Sequence, residues 1–181
     1  MKFAYADPPY LGEAKRLYGE LHPDASDYDD PATHQMLITR LCDEYPDGWA
    51  LSLHVPSLRT ILPMCPTEVR VLAWCKTWHQ IYVKVPVQWA WEPVILWRGS
   101  KKKHVPMVRD WLTSSRPIGQ RIPGEKPLAF GQWMFDALGA EVNDEIDDIF
   151  PGSGAIGRAW THWKNNRPLP LVSSLVPEGL Y

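Results

Sequence analysis

Short apolar runs alternate with segments of helical period along this chain of 181 residues, and few folds accommodate that alternation. Strands are predicted near 2–6, 49–55, 68–74, 93–98, 144–149 and 169–173, and helices near 31–45, 56–63, 127–139 and 155–166. The boundaries have local reasons. Trp49-Ala50-Leu51-Ser52-Leu53 alternates and is bounded by Asp47-Gly48 and Pro56. Asp30-Pro31 is a helix start, after which Ile38, Leu41, Cys42 and Tyr45 fall on one face. Positions 130, 133, 134, 137 and 138 are apolar at helical spacing, with Pro127 in the first turn. Repeated strand–helix units imply an α/β fold: an open, largely parallel sheet with helices on both faces, ligands crossing the carboxyl ends of the strands.

With 45% hydrophobic residues the chain buries one substantial core, so residues 1–181 are read as a single domain. No apolar run reaches the roughly 18 residues of a membrane span. The chain opens on strand-like Phe3-Ala4-Tyr5, with no signal-peptide pattern ahead of it. Cys42, Cys65 and Cys75 are unevenly spaced and form no CxxC pair, which suggests reduced thiols in a cytoplasmic protein and no metal site. His22, Asp24, Asp27, Asp29 and Asp30 lack calcium-loop spacing, so the polar segment 11–30 reads as a mobile flap, with Tyr18 and Tyr28 as candidate nucleotide contacts.

The net charge of −2 is unevenly placed. Residues 20–47 are acidic, whereas 98–126 carry Arg98, Lys101, Lys102, Lys103, Arg109, Arg116, Arg121 and Lys126 against only Asp110 and Glu125. A basic stretch in a near-neutral protein is a footprint for phosphate contact. Of the ten tryptophans, Trp49, Trp133 and Trp160 fall on predicted core faces, and Trp89, Trp91 and Trp111 are candidates for stacking on nucleic acid.

Asp7-Pro8-Pro9-Tyr10 closes the first apolar run. Two prolines fix φ and contribute no N–H, so this corner presents acceptors only. It resembles the Asp-Pro-Pro-Tyr motif of the S-adenosylmethionine-dependent amino-methyltransferases, above all those acting on N6 of adenine in DNA. The motif has a chemical reason. An exocyclic amine on an aromatic ring is a poor nucleophile because its lone pair is delocalised. Two acceptors for its N–H bonds bring the nitrogen closer to tetrahedral and hold the lone pair toward the methyl donor. The resemblance implies that Asp7 and the Pro8 carbonyl are those acceptors, that Pro8 and Pro9 shape the corner, and that Tyr10 gives the extracted base a stacking face.

Three further segments resemble the same family in matching order. Asp147-Asp148-Ile149-Phe150-Pro151-Gly152-Ser153-Gly154 is similar to its cofactor loop, Asp-Pro-Phe-x-Gly-Ser-Gly, set between a strand and a helix. Glycines there let the backbone pass under a ligand, and the helix after them points its amides at a carboxylate. Trp91-Glu92-Pro93-Val94-Ile95-Leu96-Trp97-Arg98-Gly99 looks like a late strand of the family. Lys126-Pro127 is where its cofactor-binding half begins. The resemblance assigns S-adenosylmethionine to Lys126, Pro127, Asp148, Phe150, Gly152, Ser153 and Gly154. It assigns nucleic acid to Lys76, Lys101, Lys102, Lys103, Arg109 and Arg116, within or near a recognition segment at about 98–126.

The order of motifs, catalytic corner first and glycine loop last, resembles that of a circularly permuted group, and together with Asp rather than Asn or Ser at position 7 it favours adenine N6 over glutamine or cytosine N4. Three features depart from the family, the mildest being Ile149 before Phe150, where proline is usual. Leu169-Pro170-Leu171-Val172-Ser173-Ser174 lacks the acid that holds the cofactor's ribose, which suggests a truncated C-terminal edge with Ser173, Ser174 or a partner substituting. The recognition segment is short, so specificity would be relaxed or shared across a homodimer. The expectation is a Rossmann-like adenine-N6 DNA methyltransferase that flips its target base. A cytosine-N4 or RNA enzyme of the same chemistry, and a catalytically weak DNA-binding or partner subunit, stay open.

Overall fold

The computed structural model describes residues 1–19, 23–77, 81–99, 107–115 and 125–167. In chain order the elements are β1 (Lys2–Ala6), α1 (Ala14–Tyr18), a 3-10 turn (Pro23–Asp29), α2 (Pro31–Glu44), β2 (Trp49–Ser52) and α3 (Val55–Ile61), which a second 3-10 turn (Leu62–Met64) extends. Then come β3 (Arg70–Lys76), β4 (Trp91–Trp97), β5 (Trp111–Ser114), α4 (Leu128–Leu138), β6 (Glu145–Asp148) and α5 (Ala155–Asn165).

The strands form one six-stranded sheet in the order β5-β3-β4-β2-β1-β6. It is parallel except at β4, which runs against both β2 and β3. That reversal matters for the site, because the amino end of β4 lies among the carboxyl ends of the other strands.

β1 is a continuous apolar run, the pattern of a strand covered on both faces. Phe3 and Tyr5 point to one face, where Leu72 and Trp74 join Phe130, Trp133, Met134 and Phe135 of α4 and Trp160 and Trp163 of α5. Ala4 and Ala6 point to the other, where Leu51 and Ile95 meet Leu37, Ile38 and Leu41 of α2 and Ile61 of α3. The first face is held by aromatic edges: Phe130 meets Tyr5 at 5.8 Å and Trp74 at 5.3 Å, and Phe135 meets Trp160 at 4.9 Å. Helices therefore cover both faces, as the alternation predicts.

The helix limits follow capping chemistry. Asp30 accepts from the Ala32 N–H at 2.9 Å, and Pro31 occupies the first turn of α2. The α4–α5 junction is close: a Cβ on Gly131 would stand 2.5 Å from that of Ala159.

Three differences from the predicted elements have physical causes. The strand at 49–55 stops at Ser52, because Val55-Pro56 opens a helix. The segment 11–30 is folded in its described part: the Asp29 carboxylate accepts from the N–H groups of Ala14 and Lys15, tying the 3-10 turn to α1. Tyr28 packs edge-on against His34 and Phe150. Within the basic stretch, β5 pairs in parallel with β3 and so belongs to the sheet. The strand predicted at 169–173, with Ser173 and Ser174, lies outside the described residues. Among those described, no helix is long and apolar enough to cross a membrane.

Candidate functional site

β1 and β6 are parallel neighbours, with Tyr5 opposite Asp148, and the Ile149 N–H donates to the Tyr5 carbonyl at 2.9 Å. The chain leaves β1 toward α2 on one face and leaves β6 toward α5 on the other. A crevice opens where neighbouring strands send their connections to opposite faces. Asp7-Pro8-Pro9-Tyr10 and the loop 149–154 form the two lips of that crevice, so the structure brings together the two motifs that stand farthest apart in sequence.

Asp7 is two residues beyond Tyr5 and so continues onto the α4 face. There it meets an ion cluster. The Lys126 Nζ lies 2.8 Å from Asp7 Oδ2 and 3.5 Å from Glu92 Oε2. The Tyr10 hydroxyl lies 3.3 Å from Asp7 Oδ1 and 3.2 Å from Glu92 Oε2, so one proton serves two acceptors. Lys76 pairs with the other oxygen of Glu92. Side-chain exposure is only 4% for Lys126 and 10% for Glu92 but 22% for Asp7, so Asp7 is the member open to an incoming ligand. Two carboxylates and two ammonium groups balance, which is what allows such a cluster to be buried.

Its electrostatics follow. Burial pushes the Asp7 carboxyl above its usual range, with Glu92 adding and Lys126 opposing. Burial works against the Lys126 charge, but Asp7, Glu92 and the neighbouring tyrosines outweigh it and raise that group well above its ordinary value. The Tyr10 hydroxyl, buried beside two carboxylates, stays protonated far into the alkaline range. The Tyr10 ring is stacked on His54, centroids 5.2 Å apart. Because Ser57 Oγ donates to the His54 carbonyl, it accepts from His54 Nδ1.

On the other lip, Asp148 ends β6 with Oδ1 buried and, among the described residues, without a hydrogen-bond partner. Burial pushes its carboxyl up to about 6, against the N–H of Phe150. Gly152 and Gly154 have φ of 45° and 73°, backbone conformations that side chains strain. The Arg158 guanidinium bridges the Ser153 carbonyl and Glu125, each at 2.6 Å, fastening the loop to the residue before Lys126. α5 begins at Ala155, directly after the loop, with Gly154 as its N-cap. An orphaned acceptor, a loop that lacks a Cβ at Gly152 and Gly154, and a helix N-terminus suit a ligand with hydroxyl or ammonium donors and a carboxylate.

The nucleic-acid candidates separate. Lys76 is drawn into the ion cluster, 12% exposed. Arg109 is exposed and lies over Trp111 with its guanidinium carbon 5.3 Å from the ring centroid. Trp89 and Trp111 are 44% and 45% exposed, whereas Trp49 is fully buried and Trp133 and Trp160 nearly so. Lys101, Lys102, Lys103 and Arg116 lie outside the described residues. Among those described, no group of three or more His, Cys, Asp or Glu side chains is placed to hold a metal ion.

Sequence reasoning missed Glu92 and His54. Glu92 did carry a signal: it is a lone carboxylate inside the strand Trp91–Trp97, whose interior is buried. A charge in such a place needs a partner. His54 carried none, since only the fold lays it on Tyr10.

No protein-family model matches the chain, and no curated protein matches it. Solved structures do. M1.HpyAVI, solved as its SAM complex, aligns with TM-score 0.53 at 20% identity, covering 90% of this chain and 78% of its own. TTHA0409 of Thermus thermophilus, a candidate DNA modification methylase, aligns with TM-score 0.54 at 17% identity, covering 90% and 76%. A form of TTHA0409 complexed with S-adenosyl-L-methionine aligns with TM-score 0.53 at 16% identity, covering 90% and 77%. The architecture of this chain is the Rossmann-like fold that those proteins share.

Proposed function

We propose that this chain is a DNA methyltransferase that uses S-adenosylmethionine to methylate N6 of adenine, taking the target base out of the duplex. The observation that carries the reading is the meeting of Asp7-Pro8-Pro9-Tyr10 with the Asp148–Gly154 loop across one crevice. Support also comes from the likeness in fold to M1.HpyAVI and TTHA0409.

When bound, S-adenosylmethionine supplies a sulfonium methyl group for direct displacement by a nucleophile. Asp148 would hold donors of that cofactor with its orphaned oxygen, Phe150 would cover its apolar surface, and the amides at the start of α5 would face its carboxylate. Lys126 and Pro127, assigned to the cofactor by motif, act here by holding Asp7 and opening α4. Asp7 and the Pro8 carbonyl take the two N–H bonds of the amine and aim its lone pair. As the nitrogen gains the methyl group it turns positive, and the Asp7 carboxylate stabilises that charge and then accepts the released proton. A carboxyl whose affinity for protons is raised by burial suits that second role. The enclosed corner admits a base only when it leaves the helical stack. The order of the two lips in the chain makes this a circularly permuted member of its kind.

The test is incubation of the full chain with DNA and methyl-labelled cofactor, followed by digestion and mass identification of the nucleosides. N6-methyladenine is the expected product. N4-methylcytosine, or label in RNA alone, would overturn the assignment of the target, and no labelled nucleoside at all would overturn the reading.

A further inference from the structure

We propose that Glu92 is a positioning residue that takes the Lys126 ammonium from Asp7 when Asp7 engages the substrate amine. The inference rests on the methyl-transfer reading above. Both oxygens of Asp7 are engaged in the structure: Oδ1 by the Tyr10 hydroxyl at 3.3 Å and Oδ2 by Lys126 at 2.8 Å. Lys126 therefore stands, as a nitrogen bearing hydrogens, where a substrate nitrogen would stand. A carboxylate neutralised by an ammonium is also a poor acceptor for charge developing on an amine. For Asp7 to act, Lys126 has to leave it.

Lys126 cannot leave for water, because its side chain is only 4% exposed, and an unpaired buried ammonium is strongly unfavourable. Glu92 offers the alternative. Its Oε2 is already 3.5 Å from the same Nζ, so a small rotation of the outer side-chain bonds completes the transfer. Glu92 reaches this place because β4 runs antiparallel: its second residue lies opposite Trp74, at the carboxyl end of β3. The rings of Trp74 and Phe130 stand 5.6 and 5.8 Å from the ammonium and accompany it in either position. The ionisable groups facing this space are Asp7, Tyr5 and Tyr10 from β1 and its turn, His54 ahead of α3, Lys76 from β3, Glu92 from β4, Lys126 ahead of α4 and Asp148 from β6. Lys126 stays protonated throughout, and no bond other than hydrogen bonds changes.

Two experiments decide it. In single-turnover methyl transfer to DNA, Glu92→Gln should lower the rate about tenfold or more while cofactor affinity stays within about threefold. Glu92→Asp should recover most of the loss. In a Lys126→Gln background, Glu92→Gln should cost less than about threefold, because no ammonium is left to relocate. An equal loss in both backgrounds would make Glu92 merely structural and overturn the handover. The second experiment needs no activity: a crystal structure of Asp7→Asn should show Lys126 Nζ drawn in from 3.5 Å to about 2.8 Å of Glu92 Oε2 and moved out of hydrogen-bond reach of the side chain at position 7. Lys126 still at the side chain of position 7, or turned to solvent, would overturn the proposal. A wild-type chain that methylates no base would defeat the methyl-transfer reading, and the Asp7→Asn structure would still decide where Lys126 goes.

Discussion

Gly131 is the place where the two arms of the site are held together, and Gly131→Ala tests that role. Inside a helix, alanine in place of glycine ordinarily stabilises by about 1 kcal/mol. Here the added methyl would meet the Ala159 Cβ at 2.5 Å and the Phe135 ring at 3.5 Å. Ala159 sits on a helix and has no flexible end to move aside, so α4 and α5 must separate. Overpacking of this kind costs about 1–3 kcal/mol. With the propensity gain subtracted and the contact this short, the net change is a loss of about 1–2 kcal/mol. In a chain of this length that lowers Tm by about 2–8 °C. Because α4 begins just after Lys126 and α5 just after the glycine loop, the same displacement should weaken cofactor binding. Thermal unfolding followed by circular dichroism, with calorimetric titration of the cofactor, measures both. In an Ala159→Gly background the substitution should become neutral or stabilising. A higher Tm for Gly131→Ala alone would refute the account of the junction.

Three further outcomes follow, two from the same geometry and the third from the charge pattern of the sequence. Asp148 titrates higher folded than unfolded, so between about pH 4 and 6 the folded chain keeps a proton that the unfolded chain has released, and stability falls as pH rises through that window. Asp148→Asn should therefore melt above wild type near neutral pH and level with it at about pH 4, while binding cofactor more weakly; the reverse pH trend would contradict the burial argument. Gly152→Val should weaken cofactor binding at least about tenfold by calorimetry. Its Cβ position is open, with only the Phe150 carbonyl at 3.8 Å, so the cost arises from the positive φ and the occupied ligand space, and unchanged affinity in a folded variant would count against the loop. Neutralising Lys101, Lys102 and Lys103 should weaken DNA binding across unrelated sequences and flatten its salt dependence by roughly 0.9 for each phosphate no longer neutralised, whereas an unchanged slope would remove them from the interface.

The parts of the fold that depend on local chemistry were legible in the sequence. Asp30-Pro31, Pro127 and the glycines of the loop 152–154 mark where elements begin, and the continuous apolar run of β1 marks a strand buried on both faces. What was not legible depends on distant partners. α1 has only five residues, and its N-terminus is tied by the Asp29 carboxylate some fifteen residues away, so the segment looks like polar loop until it folds. β5 is short, half exposed and set in a basic stretch, and only its pairing with β3 makes it a strand. In the site, Asp7 and the glycine loop announced themselves by motif, whereas Glu92 joins them only because β4 runs antiparallel. Lys126 shows the same limit: its place before a helix was readable, but the destination of its ammonium was not.

The central claim, that Asp7 is the acceptor that readies an adenine amine for methyl transfer, is tested most directly by single-turnover transfer to adenine-containing DNA with wild type, Asp7→Asn and Asp7→Ala compared. The wild-type product should be N6-methyladenine. Asp7→Ala should bind cofactor within a few fold of wild type yet lose about 10²–10³ in rate, the scale of one preorganised polar contact to a reacting group. Asp7→Asn, which keeps an acceptor oxygen, should lose less. Transfer by Asp7→Ala at the wild-type rate would contradict the account.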